Sequence, residues 1–125
     1  MSRFPLTLAA FALAVAGCGG GDKPGRTVTV PANAAVRVVA KEYSFEPSRI
    51  VVRGPGVVRI RLENDGSLAH NLKLSRDGRE VGGTPSFPSG QTKAVRLTLS
   101  RGDYDYVCTV GDHEELGMKG TLKVD

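Results

Sequence analysis

Four side chains in this 125-residue chain have types and spacing that suit metal chemistry. Cys108, His113 and Met118 stand at Cys-x4-His-x4-Met spacing within the run Cys108-Thr109-Val110-Gly111-Asp112-His113-Glu114-Glu115-Leu116-Gly117-Met118, and His70 lies upstream. Two imidazoles and one thiolate in a trigonal arrangement, with a weak and distant thioether on the axis, make a copper site; thiolate and thioether are soft donors suited to Cu(I). Cys and two His also suit zinc when a fourth ligand is supplied. The position of Met118 favours copper, as one ion passing between Cu(I) and Cu(II).

Taken singly, each residue has a plainer reading. A free Cys packs well in a core, and Met commonly fills gaps there. His113, flanked by acids and glycine, suits a surface, and His70 after Leu68-Ala69 suits a hydrogen-bonded core position. The combination argues otherwise. The chain has two His, two Cys and two Met, and all but Cys18 and Met1 fall in this one pattern.

Strands have to position these donors. Val58, Ile60 and Leu62 alternate with Arg59, Arg61 and Glu63, and Val95, Leu97 and Leu99 alternate with Arg96 and Thr98, as strands with one buried face require. Turn residues punctuate the chain at Gly54-Pro55-Gly56, Asn64-Asp65-Gly66, Asp77-Gly78, Pro88-Ser89-Gly90 and Arg101-Gly102-Asp103. No helical period appears. The expected fold is all-β, a Greek-key sandwich of seven to eight strands. An immunoglobulin domain is disfavoured, because there is no Trp and no second core Cys. The Gly-, Pro- and Ser-rich segment Val81 to Gly90 is expected to be a loop between sheets. Strand parity places His70 with Leu72 and Leu74 on the core side, opposite Asn71 and Lys73. It likewise places Tyr104, Tyr106 and Cys108 on one face.

The first 17 residues read as an export signal: Arg3, then an apolar run from Leu6 to Ala16 that is too short to span a bilayer. The run closes on Val15-Ala16-Gly17-Cys18, which resembles the lipobox of bacterial lipoproteins, so Cys18 is expected to carry lipid at the mature N-terminus. Cys108 then has no intramolecular disulfide partner. Residues 18–25 form a Gly-rich tether and 26–125 one domain. The expected location is the outer or periplasmic face of a bacterial membrane. A formal charge of +4, with cations spread singly along strands, gives no sign of nucleic-acid binding. Haem attachment lacks its Cys-x-x-Cys-His motif, and two histidines are too few for a second copper centre.

Phe45-x-Pro47-x-x-Ile50-x-Val52, His70-Asn71-Leu72, Tyr104-x-Tyr106-x-Cys108-Thr109-Val110, and His113 with Leu116-Gly117-Met118-Lys119-Gly120 together resemble the cupredoxins, the blue type 1 copper proteins of azurin and plastocyanin type. The likeness spans about Tyr43 to Val124. It implies that His70 is the ligand from a strand end, Cys108 the thiolate, His113 the second imidazole and Met118 the axial ligand. It also implies that Asn71 locks the copper loop by hydrogen bonds. The family often has Pro-Gly before the second His, where this chain has Gly111-Asp112. The charge of Asp112, with Glu114 and Glu115, is expected to favour oxidised copper. The implied function is non-enzymatic single-electron shuttling between transient, membrane-associated redox partners by a monomer, through an apolar surface around His113, Leu68, Ala69, Leu116 and Gly117. Copper storage or delivery in the cell envelope is the alternative.

Overall fold

The computed structural model describes residues 25–125; the expected signal segment 1–17, Cys18 and all of the tether but Gly25 lie outside the described residues. Ten strands follow: β1 (Thr27–Pro31), β2 (Ala35–Lys41), β3 (Ser44–Glu46), β4 (Arg49–Arg53), β5 (Gly56–Asn64), β6 (Lys73–Arg76), β7 (Arg79–Gly83), β8 (Thr92–Leu99), β9 (Gly102–Val107) and β10 (Lys119–Val124). They form a six-stranded sheet in the order β1-β4-β10-β9-β6-β7 and a four-stranded sheet in the order β3-β2-β5-β8. Both sheets are mixed: β1, β4 and β10 run parallel, as do β2 and β5, and the remaining neighbours are antiparallel. No helix among the described residues is long and apolar enough to cross a membrane.

Alternation builds the core between the sheets. Along β5, Val58, Ile60 and Leu62 are buried while Arg59 and Arg61 face water. Burial removes each apolar side chain from water, at about 1.5–3 kcal/mol per residue. From the other sheet come Ile50, Val52, Leu74, Leu122 and Val124. Tyr104 and Tyr106 are buried on β9 and the same parity continues into buried Cys108, as the sequence predicts.

The strand count exceeds the seven or eight expected because two short segments also pair. Only Phe45 points inward from three-residue β3, so alternation has too little length to be read there. The loop expected over Val81 to Gly90 is strand in its first three residues. Asp77 (φ 49°) and Gly78 (φ 76°) both adopt the left-handed conformation that a tight hairpin turn needs, and they return β7 onto β6. Farther along this segment, Phe87 exchanges backbone hydrogen bonds with His70: His70 N donates to Phe87 O at 3.2 Å and Phe87 N to His70 O at 3.1 Å. The loop therefore holds a donor residue in place rather than merely joining sheets.

Tyr106 fastens the layers together. It is fully buried, its ring meets Phe45 edge-on with centroids 5.4 Å apart, and its hydroxyl donates to Pro47 O at 2.7 Å. Burial pushes the phenol upward from its ordinary pKa, with the charge of Glu46 adding to the effect, so it stays a neutral donor. Tyr106→Phe leaves the Pro47 carbonyl without its donor and is expected to cost about 1–3 kcal/mol. A lower urea midpoint at unchanged slope is the measurement that shows it.

Candidate metal centre

The donors gather at one end of the sandwich. His70 follows β5 and precedes β6, Cys108 directly follows β9, and residues 109–118 form the turn-rich loop that leads into β10. Within that loop His113 N donates to Val110 O (3.1 Å), Leu116 N to Asp112 O (3.2 Å) and Gly117 N to Glu114 O (3.0 Å). Gly111 (φ 49°) and Gly117 (φ 109°) take left-handed conformations that a side chain would strain. Gly111 thus supplies the turn before Asp112 and His113 where the related pattern has Pro-Gly. Cys108 N donates to Met118 O at 3.1 Å and Met118 N to His113 O at 3.0 Å, which closes the loop on itself.

His70, Cys108 and His113 converge, each buried, with their donor atoms within 4.8 Å of one another. Cys108 Sγ lies 3.9 Å from His70 Nδ1 and 3.5 Å from His113 Nδ1. Bonds of about 2.1 Å to imidazole nitrogen and about 2.3 Å to thiolate sulfur, opened to between tetrahedral and trigonal angles, place such donors roughly 3.7 Å apart. The two sulfur–nitrogen separations straddle that value, and with all donor atoms within 4.8 Å of one another the three residues suit one metal ion. Neither Nδ1 has another hydrogen-bond partner among the described residues. Met118 is fully buried in the same cluster as Cys108. Cys108 is free of disulfide.

Two contacts orient the donors. Asn71 Nδ2 donates to Thr109 Oγ1 and Thr109 N donates to Asn71 Oδ1, each at 2.8 Å, joining the His70 segment to the Cys108 segment. Asn71 is 5% exposed, so it does not stand on the outer side with Lys73 as simple alternation predicts. Regular pairing starts only at Lys73, which frees Asn71 to turn toward Thr109. The second contact comes from a residue outside the donor pattern of the sequence. Glu42, just after β2, accepts from Ser67 N and Leu68 N at 2.7 Å each and stands 3.1 Å from His70 Nε2. Its signal was present in the alternation, since Val36, Val38 and Ala40 face inward and Glu42 continues their parity. Neighbouring Tyr43 meets the His113 ring edge-on, with centroids 5.0 Å apart.

These contacts set the electrostatics. The Leu68 amide, with Ser67 N and His70 contributing, holds the Glu42 carboxyl down to about 2. Burial lowers the His70 pKa, against the opposing pull of Glu42. Asp112, Glu114 and Glu115 are all exposed, so the carboxylate that touches a donor ring is Glu42.

This is the cupredoxin class of β-sandwich, with a donor set typical of one type 1 copper. The chain belongs to the copper binding proteins of the plastocyanin/azurin family, whose pattern it matches over residues 32–125. Copper is its cofactor, and members of the family generally transfer electrons. No curated protein matches the sequence significantly. Among solved structures, reduced auracyanin from the photosynthetic bacterium Roseiflexus castenholzii is similar at TM-score 0.68 and 15% identity, covering 75% of this chain and 98% of that one. Auracyanin A, a blue copper protein of the green thermophilic photosynthetic bacterium Chloroflexus aurantiacus, gives 0.66 and 22%, covering 77% and 100%. Rusticyanin from Thiobacillus ferrooxidans gives 0.66 and 21%, covering 82% and 86%. At these identities the likeness concerns the fold.

Two outcomes are expected. Asn71→Ala removes both links to Thr109 and should lower stability by about 1–2 kcal/mol in denaturant titrations. In the metal-free protein, both His70 and Glu42 have folded-state pKa values below their ordinary ones, 6.5 and 4.5. The unfolded chain then binds more protons, so stability is full above those values and falls with pH. The urea midpoint should drop as pH passes below 6.5 and again between 4.5 and about 2. Glu42→Gln should flatten the lower step.

Proposed function

We propose that this protein shuttles single electrons by means of one copper ion held by His70, Cys108 and His113, with Met118 as the weak axial donor. The observation that carries this reading is the convergence of three buried donors at ligand separations. When bound, copper supplies a one-electron Cu(II)/Cu(I) couple. The protein's own residues keep the donors still. The Asn71 and Thr109 pair joins two donor segments, and the closed hydrogen bonds of residues 108–118 carry His113 and Met118 on one rigid loop. Donors that hold position in both oxidation states cost little rearrangement on each transfer.

His113 is the route to a partner. His113 is 7% exposed whereas His70 and Cys108 are 0% exposed, and Tyr43, whose ring meets it, presents apolar surface to solvent, as do Leu68 and Leu116. Such a patch suits a small, transient encounter with another redox protein. Tyr43 adds to the surface expected from the sequence. Burial of all three donors also weighs against copper delivery, which works by ligand exchange at an accessible ion. Enzymatic copper chemistry would need further ligands, and the chain has only two His. We further propose that the protein is exported, anchored by lipid on Cys18, and active as a monomer at the membrane face. The anchor would raise its effective concentration near membrane-bound partners.

Adding Cu(II) to the metal-free protein should give an intense blue thiolate-to-copper absorption that a reductant bleaches and an oxidant restores. Cys108→Ser should abolish the colour, while Met118→Leu should keep it and move the reduction potential. A colourless wild-type protein would overturn the proposal.

A further inference from the structure

We infer that Glu42 is a positioning residue for the copper centre: its carboxylate fixes His70 with Nδ1 turned to the metal, and its charge stabilises the oxidised state. This rests on the reading of His70 as a copper ligand. Glu42 Oε1 is 3.1 Å from His70 Nε2 and also receives the Ser67 and Leu68 amides. A neutral imidazole facing a carboxylate at Nε2 carries its proton there, which leaves the Nδ1 lone pair directed toward Cys108 Sγ at 3.9 Å. The His70 ring is wholly buried, so without that acceptor a polar N–H would be left unpaired.

The surroundings are built to hold this contact. Asn64 is fully buried, and its amide donates to Leu68 O (2.9 Å) and Phe87 O (3.1 Å) while its Oδ1 accepts from Gly66 N (3.0 Å). These bonds shape the turn whose amides reach Glu42. A methyl group on Gly66 would lie 2.5 Å and 2.8 Å from the two Glu42 oxygens and 2.8 Å from His70 Nε2. Absence of a side chain at position 66 is therefore a condition of the carboxylate and imidazole meeting. A fixed anion on the far side of a ligand ring raises the ring's donor strength and favours the more highly charged metal. The Glu42 side chain is 28% exposed, so solvent screens part of this effect but does not separate it from the ring.

Three variants test the inference. Glu42→Gln keeps an oxygen acceptor and removes the charge. It should bind copper with the blue colour retained and shift the one-electron equilibrium toward the reduced form by threefold or more, tenfold being about 59 mV. A shift below threefold overturns the charge role. In the metal-free protein at neutral pH, ¹⁵N NMR should show wild-type His70 as a single Nε2–H tautomer, also in Glu42→Gln. Glu42→Ala and Gly66→Ala should both lose that single form. If both retain it, the positioning role is overturned. A wild-type protein that binds no copper defeats the ligand reading, and the metal-free spectra still decide whether Glu42 orients His70.

Discussion

One reciprocal pair of hydrogen bonds, between the Asn71 amide and Thr109, joins the two chain segments that carry the metal donors. His70 and Cys108 are 38 residues apart in sequence, and each leaves a strand of the six-stranded sheet or its approach. Sheet pairing alone does not bring them to ligand distance, because the segment around residues 70–72 departs from regular pairing. The amide of Asn71 reaches Thr109 directly after Cys108 and so fixes the two donors against each other. Around that link, β6 pairs with β9 and β9 with β10, so the whole donor end is carried on one continuous sheet.

Burial then governs the chemistry. Two imidazoles and a thiol lie buried at one end of a largely apolar core, where each unpaired polar atom is costly. The protein satisfies the outer nitrogen of His70 with Glu42 and directs both Nδ1 atoms and the sulfur at one another. One metal ion would satisfy all three inward donors together. His113 differs from His70 in having an aromatic neighbour, Tyr43, rather than a carboxylate. The two imidazoles are therefore unlike: one meets a partly exposed carboxylate, the other an aromatic ring.

The fold class was legible because burial on one face of a strand imposes a period of two, which Val58, Ile60, Leu62 and Tyr104, Tyr106, Cys108 display. Short elements escaped for the same reason: β3 offers a single inward residue and β7 none that is fully buried. The convergence of His70, Cys108 and His113 was legible through residue type, spacing and rarity. Glu42 continues the inward parity of Val36, Val38 and Ala40, but what its carboxylate meets is decided only when the chain 25 to 28 residues farther on folds back beside it. Asp112, Glu114 and Glu115, which the sequence places beside His113, are exposed, whereas the carboxylate in contact with a donor ring comes from a distant segment.

By itself, then, the sequence determined the periodic burial that makes a β-sandwich and the identity of the donor atoms, since both are properties of residue type and local order. Only the tertiary structure decided which groups surround those donors. Glu42 on His70, Tyr43 on His113 and Asn71 on Thr109 are contacts between distant segments, settled by sheet register and loop closure rather than by any local pattern. The donor set specifies a metal; the contacts around it, which depend on the packing of the whole chain, set how firmly each donor is held and what charge the metal meets.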